Sequence, residues 1–109
     1  MYAHEKRALK GITKSLREQF PERVRGVYVF GSRARGDNKR DSDWDVMILL
    51  KRRNVDKKVE QVFRHHLLDI ELEIGVPISV LVYSKSDWEG KYSVTPLFKS
   101  IKKEGILIS

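Results

Sequence analysis

Two carboxylates set one residue apart at the head of an apolar run restrict this chain more than any other feature. Asp43 and Asp45 flank Trp44, and Asp45 leads directly into Val46 to Leu50. The run from Trp44 to Leu50 reads as a buried strand. Residues i and i+2 of a strand share a face, so both carboxylates address one cavity while Trp44 points the other way, into the core. Like charges held together repel unless a cation lies between them, and magnesium is the cation that suits this pair. A solvated turn accounts well enough for Asp37 or Asp41, but Asp45 lies too deep in the strand pattern for that.

The segment before the carboxylates supplies a matching half-site. Val27 to Phe30 is a short β-branched and aromatic run ended by Gly31, which predicts a buried strand entering a turn. Gly31 allows the backbone a sharp turn and a close approach to a ligand, and Ser32 offers a hydroxyl. A strand, a Gly-Ser turn and a short helical turn together present backbone N–H groups to an anion, with phosphate the natural guest. Arg33 and Arg35 bring guanidinium forks that match phosphate oxygens, although two residues two apart need not both point inward. Taken alone, a Gly-Ser turn only connects elements; the carboxylates downstream give it weight.

The remaining pattern supplies a scaffold. Leu9, Ile12, Leu16 and Phe20 recur at helical spacing before Pro21, which predicts a helix over about 4–19. Asn54 as cap, Asp56 in the first turn and the stripe Val59, Val62, Phe63, Leu67, Ile70, Ile74 predict a long helix stopped by Gly75. Ile78 to Tyr83 reads as a third strand. Ser86 with Glu89 has capping-box spacing, suggesting a helical turn around 87–91. Thr95 and Pro96 start a last helix ending near Gly105, and Ile106 to Ile108 reads as an edge strand. The order α-β-α-β-α-β-α-β predicts an α/β (α+β) fold, a small mixed β-sheet flanked by helices.

Composition bounds the rest. The 109 residues fit one domain, read here as spanning 1–109. Without cysteine there is neither a disulfide framework nor a thiolate zinc site, and the cytoplasm is the default compartment. No apolar stretch approaches the roughly 18 residues of a membrane span, and MYAHEKRALKG has no apolar signal core. A net charge of +7 attracts polyphosphate, nucleic acid or an acidic partner. Direct nucleic-acid binding ranks last, because the basic residues form short scattered clusters without interleaved aromatics and the paired aspartates would face an anionic polymer. His65 and His66 diverge around a helix and cannot share one metal. They read as structural, as do the aromatics Tyr83, Trp88, Tyr92 and Phe98. Lys102 and Lys103 complement a helix C-terminus.

GSRARG followed by Ser42, Asp43, Trp44 and Asp45 resembles the motif of the DNA polymerase beta nucleotidyltransferase superfamily, in its minimal stand-alone (MNT) form. The motif is highly specific and covers 15 residues, Gly31 to Asp45. The resemblance implies that Gly31 and Ser32 bind a triphosphate, joined by Arg35 and Gly36, which match the minimal branch. It implies that Asp43 and Asp45 are the catalytic and metal-holding residues, with one or two Mg2+ ions and ATP or another nucleoside triphosphate as substrate. The implied reaction is transfer of a nucleoside monophosphate, AMP from ATP, to a hydroxyl on a protein or other acceptor. Minimal relatives pair with a small helical HEPN protein as antitoxin and toxin, so such a partner is expected here. The short chain also leaves the acceptor to dock from outside or across a homo-oligomer interface.

One position departs from the pattern. The third carboxylate of the family belongs on the next core strand, where this chain has Ser79. A neutral hydroxyl is a poor metal ligand and no comparable base. Glu71 and Glu73, near the end of the long helix, or a carboxylate from a partner chain are the candidate substitutes, though helix-surface charge explains the two glutamates. The competing expectation is therefore a nucleotide-binding or toxin-neutralising module with weakened chemistry.

Overall fold

The first helix follows its apolar stripe. In the computed structural model, which describes residues 3–21 and 23–108 and within these the side chains from Glu5 onward, α1 spans Ala3–Gln19. Strand β1 covers Val24–Phe30 and leads without a break into α2, Gly31–Arg35. It begins three residues before the predicted Val27. Buried Val24 pairs with Leu50 across a register shift at Gly26, an irregularity that alternation in the sequence does not announce. Strand β2 is Trp44–Leu50.

Helix α3, Lys57–Ile74, ends at Gly75 in the left-handed conformation, φ 74°. Its cap is Asp56 and not Asn54: Asp56 Oδ1 accepts the Val59 N–H at 2.9 Å. Strand β3 is Ile78–Ser84. The short α4, Lys85–Glu89, is capped by Ser84, whose Oγ accepts the Asp87 N–H at 3.0 Å, so Ser86 is already helical. Helix α5, Pro96–Glu104, starts as expected, with Thr95 capping the Phe98 N–H, and β4 is Ile106–Leu107.

Among the described residues the strands form one mixed sheet in the order β3-β2-β1-β4. Strands β2 and β3 are parallel, joined through α3, while β1 runs antiparallel to β2 and to β4. This is the expected small mixed sheet flanked by helices. Its back face is mainly apolar: Trp44, Val46, Ile48 and Leu50 of β2 meet α1 and α3 through Ile12, Leu16, Phe63 and Leu67. His66 Nε2 lies 2.6 Å from Ser15 Oγ and the ring stands edge-on to Phe20, joining the two helices, so its role is packing.

The front face is covered only in part. Met47 and Leu49 are closed over by Trp88 of α4 and Ile101 of α5, with Tyr83, Tyr92 and Phe98 stacked around them at centroid separations of 5.1–5.2 Å. These aromatics are core, and they sit toward the C-terminal ends of β2 and β3. The opposite end of the front face is open.

Candidate active site

Asp45 heads the central strand at that open end. The ladder pairs it with Phe30 of β1 on one side and Ser79 of β3 on the other. Gly31 follows Phe30 with φ +71°, and a Cβ built there would overlap Asp45 Oδ2. The glycine therefore meets two demands: it takes a left-handed turn, and it leaves room for the Asp45 carboxylate to lie against the turn. Gly36, at φ +81°, closes α2 by donating its N–H to Ser32 O at 2.9 Å.

The polar groups collected here have few protein partners. Among the described residues, none of the Ser32 hydroxyl, the Asp43 carboxylate and the Asp45 carboxylate has a hydrogen-bond partner, yet Ser32 and Asp45 are half-buried. Burial raises the Asp45 pKa above the ordinary carboxylate value, the nearby Asp43 adds to the rise, and Arg35 opposes it. Arg35 is exposed. Its Nε donates to Asp37 Oδ2 at 3.2 Å and its Nη1 lies 3.6 Å from Glu104 Oε2. Those carboxylates, Asp37 first, lift its pKa further, so it stays charged at every working pH.

Two converging carboxylates fit one magnesium ion, which is commonly held by one or two carboxylates together with substrate phosphate oxygens. A second ion is less well served. Among the described residues no group of three or more His, Cys, Asp or Glu side chains is placed to share a metal. Ser79, the position at which the family resemblance expects a third carboxylate, is exposed and pairs with Asp45 in the ladder. Glu71 does not replace it, because its Oε1 accepts the Ile78 N–H at 2.7 Å. Glu73 lines a groove on the back of the sheet with Trp44 and Ile70.

The two arginines of the motif part company. Arg35 remains beside the carboxylates, whereas Arg33 turns away from them and is 4% exposed. Its Nη1 donates to Glu5 Oε1 at 3.0 Å, its Nε and Nη2 to Ser42 O at 3.0 and 2.7 Å, and Nη2 also to Arg40 O at 3.2 Å. The guanidinium lies 4.3 Å from the centre of the Trp44 ring. It is a poor phosphate ligand, so of the two forks only that of Arg35 stays at the candidate site. Sequence reasoning passed over Glu5 and Glu104. Glu5 did leave a signal: it continues the stripe of Leu9, Ile12 and Leu16, where a charge needs a buried partner.

The model of the nucleotidyltransferase domain family matches residues 9–108. The chain belongs to this family. Solved structures agree on the fold of the nucleotidyltransferase domain at identities that speak to fold alone. One is a toxin–antitoxin with AMP-PNP, with a TM-score of 0.67 and 20% identity over 93% of this chain and 72% of that one. Another is a Shewanella oneidensis complex of an MNT antitoxin with a tri-AMPylated HEPN toxin, with a TM-score of 0.61 and 14% identity over 95% and 71%. A protein assigned as a minimal nucleotidyltransferase gives a TM-score of 0.59 and 22% identity over 93% and 89%. Curated proteins give no match. No helix of the described residues is long and apolar enough to cross a membrane.

Proposed function

We propose that this nucleotidyltransferase domain moves AMP from ATP to a hydroxyl on a protein partner, as the antitoxin of a small helical HEPN-type toxin. The observation that carries this reading is the meeting of Asp45 and Gly31. A carboxylate without a hydrogen-bond partner is packed against a glycine turn, with Asp43 near enough to raise its pKa and with Ser32, the next residue of the turn, also leaving its hydroxyl without a hydrogen bond. Folds of the same kind occur in an AMP-PNP-bound toxin–antitoxin and in an MNT antitoxin complexed with its AMPylated toxin, which favours ATP and a protein acceptor.

In this reading Ser32 and the backbone of Gly31 bind triphosphate oxygens, while Gly36, expected to join them, has its N–H committed to Ser32 O and serves to close the turn. Arg35 exchanges Asp37 and Glu104 for the phosphates. Asp43 and Asp45 would hold Mg2+, whose charge offsets that building on the phosphoryl oxygens. The acceptor oxygen bonds to the α-phosphorus in line as the bond to pyrophosphate breaks. Ser79 offers no carboxylate to take the hydroxyl proton, which passes to water. Orientation by these side chains then supplies most of the acceleration.

A second reading has its own support. With Ser79 beside Asp45, the chain would bind nucleotide and cover the toxin without efficient transfer. Incubation with magnesium, each of the four nucleoside triphosphates and the co-encoded partner, followed by the partner's intact mass, separates the two. Transfer predicts a gain of one or more AMP units. An unmodified partner in a stable complex that demonstrably binds triphosphate would sink transfer and leave the binding module.

A further inference from the structure

We propose that Arg33 is a positioning residue that fixes Asp43 relative to the Gly31-Ser32 turn, an inference that rests on the nucleotide reading above. The sheet ladder already aligns Asp45 with Phe30, but Asp43 precedes β2 and lies outside the paired residues. The Trp44 N–H donates to Pro77 O at 2.9 Å, which ties the Asp43–Trp44 peptide to β3 and leaves its placing against the Gly31-Ser32 turn to another contact. Arg33 belongs to α2, immediately after Ser32, so its main chain moves with the turn. Its Nε and Nη2 grip the carbonyl of Ser42, the residue before Asp43, and its guanidinium lies over Trp44, the residue after it. One side chain thus joins the two halves of the site. Glu5 anchors the arrangement to α1: its Oε1 accepts from Arg33 Nη1 at 3.0 Å and from Asn38 Nδ2 at 2.8 Å, tying down the start of the loop that Arg33 holds at its end.

Stability alone is a poor reason for this network. Arg33 and Glu5 are 4% and 3% exposed, and burying such a pair costs desolvation that well-packed apolar residues avoid. Directed bonds are what an apolar pair cannot supply. A lysine lacks the fork needed to reach Ser42 O, Arg40 O and Glu5 together.

The test measures how far AMP-PNP tightens Mn2+ binding, by electron paramagnetic resonance titration of the wild type and of an Arg33→Met, Glu5→Leu double variant, with folding checked by thermal melting. Aligned halves make the two ligands help each other, so the wild type should show coupling of about tenfold or more, falling to about twofold or less in the folded double variant. Arg33→Lys serves if the double variant does not fold, and the same loss is expected. Glu5→Gln, which keeps every bond from Arg33, should retain wild-type coupling. Full coupling in a folded variant without the Ser42 bonds overturns the proposal, as does its loss in Glu5→Gln. A wild type that binds AMP-PNP with no effect on Mn2+ overturns it too, while leaving the nucleotide reading in place. A wild type that binds no AMP-PNP takes down that reading and this inference with it.

Discussion

The front of the sheet has two ends made from the same strands, and they differ in what covers them. At one end Met47 and Leu49 lie under Trp88 and Ile101; two residues earlier along the same face of β2, Asp45 is only half-covered. Strand chemistry alone does not produce the difference. Helix α5 stops at Glu104, and at that point its carboxylate holds Arg35 instead of an apolar side chain closing the sheet. The covered end supplies stability, and the uncovered end keeps a carboxylate whose charge is costly until a cation arrives.

If that division is right, substitutions at the two ends should separate cleanly. Asp43→Ala should lower AMP transfer by about 10³-fold with the melting temperature unchanged or raised, because metal-assisted charge stabilisation is worth several kcal/mol. A parallel loss of transfer and stability would erase the distinction. Met47→Ala, at the covered end, should instead cost about 3 kcal/mol in urea unfolding and leave the AMP-PNP affinity of the folded protein intact. Gly31 sits on the boundary. Gly31→Ala should cost about 1–2 kcal/mol for its positive φ and also weaken AMP-PNP, because the new Cβ displaces the Asp45 carboxylate.

Smaller effects sharpen the contrast. Ser79→Asp should raise transfer by about tenfold by restoring a ligand and base beside Asp45. No gain in a folded, metal-binding variant would mean that this position is not the catalytic vacancy. Asp45→Asn should raise the melting temperature of the ligand-free protein by about 2 °C at neutral pH. The sign follows from the raised pKa: Asp45 favours folding fully below the ordinary carboxylate pKa, and that contribution is lost as pH rises through the folded value. The gap between variant and wild type should therefore close as the pH falls through the carboxylate range.

Much of this was legible before any coordinates. Hydrophobic period placed α1 and α3, a continuous apolar run placed the whole of β2, and Thr95, Pro96 and Gly105 marked the ends of α5. The spacing of Asp43 and Asp45 and the glycine before them were readable as a candidate site from strand alternation and motif order, whereas Ser79 stood out only through the family resemblance. Local rivals were harder to separate. Asp56 and Ser84, each two residues from the expected Asn54 and Ser86, are the caps, a choice set by where the backbone leaves the extended conformation.

The sequence by itself determined which residues line the open end of the sheet: a period of two admits only one face for Asp45, and the turn before it admits only glycine without strain. The tertiary structure decided what those residues do for one another. Arg33 and Arg35 are equal in sequence, two positions apart in one short helix. The nearness of Glu5, 28 residues upstream, and of Glu104, far downstream, sends one guanidinium into the interior and keeps the other at the site. Such partners meet only when α1 and α5 have packed on opposite faces of the sheet, so no local pattern could have assigned them.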